Sequence, residues 1–444
     1  MAVDPVRDAA VSVLLRVFQT EAHNDVSIDR TLRRTNLSPR GARFMTHLVY
    51  GVVRHRLLCD HVLQPLCDQP LDQLPLSVLI VLRMGVFQSF FCSNVTRPAL
   101  VHTGVDLAKK RGHSGLAKVA NAVLRRLPSS LDEITLPDRT TQLMEHLRIR
   151  YSMPRWLVRL WCELYGEDGA EAYCAACDSA ALPSVRINTL LAQTDDVLQQ
   201  MQKAGIAAER ITEALDALLL HDGTNPQATR WFRQGQLMQQ DPASILAGAL
   251  VDPKPGEKIL DMCAAPGGKT LHLCALSRDA APIFALERYA GRVARIVENR
   301  ERLGGTQVLP LCGDGLQPPF QDGTFDRVLV DAPCSGLGTL RRHPEIKWRI
   351  QPETPSLLAA TQKAMLRKAL QLCKNGGLVV YSVCTPTPQE TTEVTAAILA
   401  EGGCMPEDGP EQFDSWKTAL GQYQTSPKNG AWDAFYLMRF RKQS

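Results

Sequence analysis

Two of the thirteen cysteines each follow an apolar run that is typical of a β-strand. Cys334 stands in the sequence Asp331-Ala-Pro-Cys-Ser335, and Cys384 stands in Tyr381-Ser-Val-Cys-Thr385. Because the carboxyl ends of parallel strands meet at one edge of a sheet, both thiols are expected where an open α/β sheet binds its ligands. Most cysteines are buried and inert, so it is this position that makes these two candidates for nucleophilic chemistry.

The stretch from Lys258 to Thr270 predicts a short strand, a tight turn and the start of a helix. Glycines in the turn let a ligand approach the backbone, and the helix N-terminus offers unpaired N–H groups. A cofactor is therefore expected here, held by the consecutive residues Cys263, Ala264, Ala265, Pro266, Gly267, Gly268 and Lys269. Lys269 opposes the helix dipole, so we expect it either to have an anionic partner, such as a ligand group or Asp331, or to face solvent.

Two further acidic residues are placed to contact a nucleoside. Glu287 ends the second predicted strand, 19 residues beyond Gly268, where a carboxylate can accept hydrogen bonds from both ribose hydroxyls. Asp314 follows the third strand and can meet an adenine amino group at the same edge. Acidic residues are common in βα loops, but the coincidence of strand-end positions favours a nucleoside cofactor.

The same turn partly matches a phosphate-binding loop. Gly268-Lys-Thr270 ends like a P-loop, and Arg327 to Asp331 looks like a strand that ends in a magnesium-binding aspartate. However, the P-loop requires a glycine where this chain has Cys263, and a triphosphatase has no use for a ribose-binding Glu287. The sequence therefore favours a methyltransferase over a nucleoside triphosphatase.

A thiol beside a methyl donor is the arrangement that methylates C5 of a pyrimidine. C5 of cytosine is a poor nucleophile until a thiolate adds to C6, after which C5 can attack the sulfonium methyl group of S-adenosylmethionine. Asp331 is placed to hold or protonate N3 during this addition. The C5 proton must then leave before the enzyme thiol can be eliminated, and the second cysteine is a candidate to assist that release.

A base within a duplex cannot present C6 to a thiolate, so the target must be flipped out or lie in a loop. A basic segment with one aromatic residue follows Cys334 closely and could supply phosphate contacts and a stacking ring. A solvated surface and a core tryptophan would give the same pattern. The candidate RNA-binding residues are Arg341, Arg342, Lys347, Trp348 and Arg349.

The elements that must position these residues alternate between strand and helix after about residue 240. β-rich runs occur at 258–262, 283–286, 307–311, 325–330 and 378–382, with a late strand at 434–440. This alternation predicts a doubly wound, mainly parallel sheet and a Rossmann-like catalytic domain at 241–444. Helical spacing upstream predicts an all-α bundle at 1–135, and mixed signals predict a small α+β linking module at 145–240.

Composition narrows the class of protein further. The 444 residues suit two or three domains, and the scattered, odd-numbered cysteines suit a reducing compartment, so a cytoplasmic protein is expected. The apolar run from Leu76 to Phe91 is too short and too interrupted for a membrane span and predicts a core helix.

Cys174 and Cys177 have the spacing of a metal-binding or redox pair, but no further ligands complete such a site. We therefore favour two thiols on one face of a helix and expect no metal.

The N-terminal region is basic. Residues 1–150 contain 20 Lys and Arg against 13 Asp and Glu, whereas the whole chain has a net charge of only +4. A basic region of this kind suggests an anionic partner such as nucleic acid, although many basic faces are simply solvated. The helical periodicity alone would equally suit a protein-interaction bundle.

Three motifs in order resemble the signatures of the RNA 5-methylcytosine methyltransferases: Cys263 to Lys269, Asp331 to Ser335 and Tyr381 to Thr385. The stretches 44–56, 78–85 and 120–126 resemble the NusB-like, RNA-binding domain of the RsmB/Sun branch, and Arg186-Ile-Asn188 resembles its linking subdomain. The resemblance covers essentially the whole chain. It implies S-adenosylmethionine as cofactor, held by the turn residues with Glu287, Asp314 and Asp331. It also implies a cytosine of 16S ribosomal RNA as substrate, Cys384 as nucleophile and Cys334 as the cysteine for product release. A monomer without membrane association is expected.

The chain departs from this pattern in places. Glu287 stands where the family commonly has Asp, and Val383 and Thr385 flank Cys384 where Thr and Ser are usual. Cofactor affinity and the environment of the nucleophile could therefore differ. Two alternatives stay open on the residues alone: a tRNA cytosine-C5 methyltransferase with the same site, and a non-catalytic RNA-binding or antitermination-like protein.

Overall fold

The computed structural model describes residues 3–20, 24–212, 214–221 and 223–444. Its α-helices, in chain order, are α1 Pro5–Thr20, α2 Asn24–Leu32, α3 Pro39–Arg54, α4 Arg56–Leu63, α5 Leu76–Phe91, α6 Arg97–Arg111, α7 Ser114–Arg125, α8 Leu143–Arg150, α9 Arg155–Asp178, α10 Thr194–Lys203, α11 Arg230–Arg233, α12 Pro242–Ala249, α13 Gly268–Leu276, α14 Ala290–Leu303, α15 Ile346–Arg349, α16 Thr354–Leu372 and α17 Thr392–Ala400. Its strands are β1 Ser184–Ile187, β2 Ala208–Arg210, β3 Ala217–Leu220, β4 Leu237–Gln239, β5 Ile259–Asp261, β6 Ile283–Glu287, β7 Val308–Cys312, β8 Phe325–Asp331, β9 Cys373–Val383, β10 Cys404–Pro406, β11 Lys417–Ala419, β12 Gln422–Gln424 and β13 Tyr436–Lys442.

The chain forms two compact units, each built from two separate stretches. The helical unit consists of residues 1–179 together with 340–350, and the sheet unit consists of residues 180–339 together with 351–444. The predicted linking module at 145–240 is divided between them. Its helices α8 and α9 belong to the helical unit, and its strands belong to the sheet unit.

The helical unit confirms the predicted all-α bundle. Helix α5 spans the apolar run from Leu76 to Phe91, and eleven of its sixteen residues are buried, as expected of a core helix. Its buried Arg83 is neutralised by Asp60, with Nε 2.7 Å from Oδ1. A side chain at Gly51 would overlap the ring of Phe87, so glycine is required where α3 meets α5. Across the described residues, no helix has the length and apolar character needed to cross a membrane.

The segment 340–350 completes this unit. Trp348 Nε1 donates to the carbonyl oxygen of Val53 at 2.8 Å, and Lys347 Nζ donates to the carbonyl oxygens of Arg54 and Tyr151 at 2.8 and 3.3 Å. Burial lowers the pKa of Lys347 to about 8. Backbone carbonyls at helix ends lack partners within their own helix, so a buried ammonium group is well placed to satisfy them. The segment is therefore part of the core of the helical unit.

The sheet unit contains two sheets. The smaller one has four antiparallel strands in the order β2-β3-β1-β4, and helix α10 covers it. The larger one has nine strands in the order β11-β12-β13-β9-β8-β5-β6-β7, with β10 paired to β13. Strands β5 to β9 are mutually parallel, and β10 to β13 add antiparallel pairs. The predicted doubly wound, mainly parallel sheet is thus confirmed for the part that carries the candidate site.

Strand order explains where the site lies. Successive strands run outward from β5 through β6 and β7 on one side, and from β8 to β9 on the other. In such sheets the crevice for a ligand opens outside the carboxyl ends of the strands, where the order reverses. Here that point is between β5 and β8, whose final residues are Asp261 and Asp331.

Candidate active site

The two predicted cysteines lie together. Cys334 Sγ is 3.2 Å from Cys384 Sγ, and both side chains are only partly exposed. Parallel pairing of β8 with β9 brings this about, because Asp331 is in register with Ser382 and the N–H of Ala332 donates to the carbonyl oxygen of Ser382 at 3.0 Å. The loops that leave the two strands therefore start side by side.

The two thiols are hydrogen-bonded to each other, and either sulfur can be the donor. This hydrogen bond with Cys384, together with burial, raises the pKa of Cys334 well above its ordinary value.

Lys269 has an anionic partner in Asp331. Lys269 Nζ lies 2.8 Å from Asp331 Oδ2, and the hydroxyl of Ser382 donates to Asp331 Oδ1 at 2.9 Å. Burial by itself would lower the pKa of Lys269, but the charge and hydrogen bond of Asp331 more than offset it, so the pKa is raised. Of the two predicted alternatives, the ion pair is confirmed and the solvent-facing lysine is wrong, since the Lys269 side chain is 12% exposed.

Thr270, to which the sequence motifs assign no role, holds the turn after β5. Thr270 Oγ1 donates to Asp261 Oδ2 at 2.7 Å, and the N–H of Cys263 reaches Asp261 Oδ1 at 3.4 Å. Burial raises the pKa of Asp261 to about 6, although the bond from Thr270 opposes this. Gly267 has φ of +100°, a conformation that favours glycine. Burial raises the pKa of the Cys263 thiol, and its side chain packs against the apolar core of the larger sheet.

Two carboxylates lie at the same edge, where Glu287 ends β6 and Asp314 follows β7. Glu287 is 3% exposed, accepts the N–H of Tyr289 at 3.1 Å and lies 3.3 Å from Arg292 Nη1. Asp314 accepts the N–H of Leu316 at 2.9 Å. Parallel pairing sets Glu287 in register with Cys312, two residues before Asp314. The acids thus sit on neighbouring strand ends, as the sequence predicts.

This edge fits a nucleoside-containing methyl donor. The carboxylates keep lone pairs that can accept hydroxyl and amino groups, since each oxygen accepts more than one hydrogen bond. Tyr289 and Leu316 each lie two residues beyond one of these acids, and their large apolar side chains are 58% and 37% exposed. Exposed apolar groups beside acceptors suit a flat base with a polar rim. Glu287 and Asp314 would hold the nucleoside of S-adenosylmethionine, and the turn from Cys263 to Lys269 would hold its amino-acid end.

The Arg186-Ile-Asn188 triplet, whose role the sequence does not reveal, supports the cofactor turn. Arg186 is buried, and its Nε donates to Gln240 Oε1 at 3.0 Å while its Nη2 lies 3.4 Å from the carbonyl oxygen of Gly268. Asn188 Nδ2 donates to the carbonyl oxygens of Gly235 and Leu303 at 2.9 and 2.8 Å. The small sheet is therefore hydrogen-bonded to the turn and to the end of α14.

The predicted RNA-binding residues and the two cysteines belong to different units of the chain. Arg341, Arg342, Lys347, Trp348 and Arg349 all belong to the helical unit. Arg341 and Lys347 are 5% and 3% exposed, and the Trp348 indole is bonded to Val53. Lys347 and Trp348 thus contact the protein where the sequence suggests phosphate and base contacts. A basic segment with one aromatic residue can either contact RNA or pack into a protein core. Residues far away in the sequence decide between the two, so the segment alone does not reveal its contacts.

Cys174 and Cys177 lie on α9, as predicted, and both are buried. Burial raises the pKa of Cys174 to about 12. Among the described residues, no group of three or more His, Cys, Asp or Glu side chains is arranged to hold a metal ion.

The larger sheet and its ligand-binding edge are those of an S-adenosylmethionine-dependent methyltransferase. Family models match three parts of the chain: 16S rRNA methyltransferase RsmB/F over residues 248–441, the NusB family over 4–128, and the RsmF/B-like ferredoxin-like domain over 153–227. The chain belongs to the family of the ribosomal RNA small subunit methyltransferases B.

Relatives match over the full length. The chain is 33% identical to a probable ribosomal RNA small subunit methyltransferase B from Bacillus subtilis, with 99% of each chain covered. It is 31% identical to the ribosomal RNA small subunit methyltransferase B of Thermus thermophilus, with 98% of this chain and 97% of the relative covered. The NusB-like bundle and the methyltransferase fold expected from the sequence are thereby confirmed.

Solved structures agree on the fold. The crystal structure of PH0851 covers 100% of both chains with a TM-score of 0.83 at 24% identity, which is a likeness of fold. A methyltransferase homolog protein from Pyrococcus horikoshii covers 68% of this chain and 99% of its own length, with a TM-score of 0.59 and 25% identity.

Proposed function

We propose that this protein methylates C5 of a specific cytosine in 16S ribosomal RNA through a covalent adduct between Cys384 and C6 of the base. The observation that carries the proposal is the 3.2 Å approach of Cys334 Sγ to Cys384 Sγ, at the same sheet edge as the Lys269–Asp331 pair. Two cysteines at the cofactor-binding edge of the sheet suit a reaction in which one sulfur bonds to the substrate and the other transfers a proton.

When bound, S-adenosylmethionine supplies the electrophilic methyl group. In this proposal the Cys384 thiolate forms a bond to C6 while Asp331 holds the N3 edge of the cytosine, and C5 becomes nucleophilic. After C5 has gained the methyl group, the Cys334 sulfur, in its thiolate form, takes the C5 proton. The electrons of the C5–H bond re-form the C5–C6 double bond and expel Cys384 as a thiolate. Lys269 keeps Asp331 oriented through both steps, because the pair is largely shielded from water.

The helical unit supports an RNA substrate. It presents basic side chains to solvent on several of its helices, and such groups bind phosphates in a salt-dependent manner. The exposed basic residues include Arg30, Arg33, Arg34, Arg40, Arg43, Lys109, Lys110, Lys118, Arg125 and Arg126.

The test is methyl transfer from labelled S-adenosylmethionine to 16S ribosomal RNA, with transfer RNA as the competing substrate. Cys384→Ala should abolish transfer, and Cys334→Ala should accumulate a protein–RNA adduct that survives denaturation. Bisulfite sequencing of the product would identify the cytosine. Full activity of the Cys384→Ala protein would overturn the mechanism, and label in transfer RNA alone would overturn the substrate.

A further inference from the structure

A buried carboxylate links the two loops that carry the cysteines. Glu390 ends a short 3₁₀ turn, Pro388–Glu390, six residues beyond Cys384, and it is 0% exposed. Its Oε1 accepts the N–H of Ser335 at 2.8 Å and the amide of Gln362 at 3.0 Å. Its Oε2 accepts the hydroxyls of Ser335 at 2.5 Å and of Thr387 at 2.8 Å. Four donors thus satisfy a carboxylate with no exposure to water.

The donors come from both sides of the cysteine pair. Ser335 directly follows Cys334, and Thr387 lies three residues after Cys384. The two loops also meet directly, because the Ser335 hydroxyl lies 3.0 Å from Thr385 Oγ1. Thr385 is one of the two residues beside Cys384 that depart from the family pattern, and its hydroxyl contacts Ser335 and Thr387 of this network.

Helix α16 contacts the same carboxylate, and strand β9 contacts the backbone of Glu390. The amide of Gln362 donates to the carbonyl oxygen of Pro333 as well as to Glu390, both at 3.0 Å. The hydroxyl of Tyr381 donates to the carbonyl oxygen of Glu390 at 2.7 Å and lies 3.0 Å from Gln362 Oε1. Polar networks in which every member has a partner hold a single arrangement of a core.

We propose that Glu390 is a positioning residue that fixes the loop 331–335 against the loop 383–387 and thereby holds the two cysteine sulfurs in contact. Burying a carboxylate costs free energy unless its oxygens are hydrogen-bonded. All four bonds that offset this cost come from the two cysteine loops or from the helix that braces them. The consequence for catalysis rests on the proposed function, whereas the consequence for the sulfur–sulfur distance does not.

The chemistry of the network provides a conservative variant. In Glu390→Gln, the amide oxygen can keep the bonds from Ser335 N–H and Gln362, and the amide nitrogen can donate to the two hydroxyls after these rotate. Glu390→Ala removes all four acceptor contacts. Ser335→Ala removes one of them. Glu393 lies three residues further on and is exposed, so Glu393→Ala is the matched control.

The test measures the sulfur–sulfur contact directly and without RNA or cofactor. Each full-length variant is treated with the thiol oxidant diamide, and the Cys334–Cys384 disulfide is quantified by peptide mass spectrometry. Diamide takes up the two electrons and two protons that the thiols lose. Glu393→Ala and Glu390→Gln should form the disulfide at close to the wild-type rate, and Glu390→Ala roughly tenfold or more slowly, because proximity sets the rate. Ser335→Ala should lie between them.

A kinetic readout accompanies the oxidation. For Glu390→Ala, kcat should fall about 100-fold, as a misplacement of about 1 Å can cause, while the Kd for S-adenosylmethionine stays within about twofold of wild type. Glu390→Gln should restore most of kcat. Wild-type disulfide formation in Glu390→Ala would overturn the proposal even if its Tm falls. If the wild type methylates no RNA, the proposed function fails, and the oxidation series still decides the role of Glu390.

Discussion

Lys269 Nζ lies 2.8 Å from Asp331 Oδ2, and this ion pair joins the turn after β5 to the end of β8. The two residues are 62 positions apart in sequence. Their contact connects the part of the site that suits the methyl donor with the part that carries the cysteines.

Lys269→Met should lower stability by about 1–3 kcal/mol, because it leaves Asp331 without its cation. The loss is smaller than for a fully buried pair, since the Asp331 side chain is 30% exposed. The folded-state pKa of Lys269 is raised above 10.5, so the pair contributes fully below that pH and its contribution is lost at more alkaline pH. The urea midpoints of variant and wild type should therefore differ at pH 8 and converge as the pH rises through the folded-state pKa of Lys269. Lys258→Met, at an exposed lysine, is the control and should change neither value.

Asp261→Asn should change how stability depends on acidity. Because burial raises the pKa of Asp261 from 3.8 to about 6, the folded protein binds a proton more readily than the unfolded chain, and stability falls as pH rises between those values. A shift of this size corresponds to about 3 kcal/mol at most. The asparagine variant should gain stability relative to wild type between pH 4 and pH 7 in urea titrations. Parallel curves for the two proteins would contradict the prediction.

Gly338→Ala should displace Cys384, the proposed nucleophile. The N–H of Gly338 donates to the carbonyl oxygen of Cys384 at 2.9 Å. A Cβ at position 338 would overlap the carbonyl oxygen of Ala434 and lie 2.8 Å from that of Cys384, so backbone must move. We expect loss of methyl transfer and a lower Tm. Gly291→Ala, where a Cβ meets nothing within 4 Å, should leave activity intact and add up to about 1 kcal/mol of stability through the helix propensity of alanine.

Trp348→Ala should destabilise the helical unit. Its ring packs against the core that includes Leu48 and Val52, and Arg56 lies over the ring at 5.1 Å from the centroid. Removing a large, partly buried aromatic side chain costs about 3 kcal/mol. Hydrogen exchange of α3 amides in the full-length protein should become faster. Leu357→Ala, at a leucine that is 71% exposed, is the control. Weaker RNA binding with unchanged exchange would support base stacking instead.

Sequence reasoning placed residues correctly where their position depends on the end of a strand. Cys334, Cys384, Glu287 and Asp314 each follow an apolar run, and parallel pairing brings such positions to one edge whatever the loops do. The fold class follows from the same alternation. For these residues, the local sequence pattern is therefore enough to predict their place in the fold.

Elsewhere the outcome depended on contacts between distant parts of the chain. Glu390 has no distinguishing pattern in the sequence, and its importance lies in Ser335 and Gln362, which are 55 and 28 residues away. Lys347 and Trp348 carry a pattern typical of RNA contact, yet their partners are carbonyl oxygens near residue 54, almost 300 positions earlier. Local periodicity contains no information about such pairings.

Because residues 340–350 belong to the helical unit, the two units cannot be separated by one cut in the chain. A domain attached by one junction can be gained, lost or exchanged in a single recombination event. Here the polypeptide crosses between the two units after residues 179, 339 and 350. A gene fragment that ends at the first crossing would leave the bundle without Lys347 and Trp348, and the remainder would carry those side chains without their carbonyl partners. A split of the chain at residue 179 would therefore remove contacts from both parts, which the exchange of a domain with a single junction would not do.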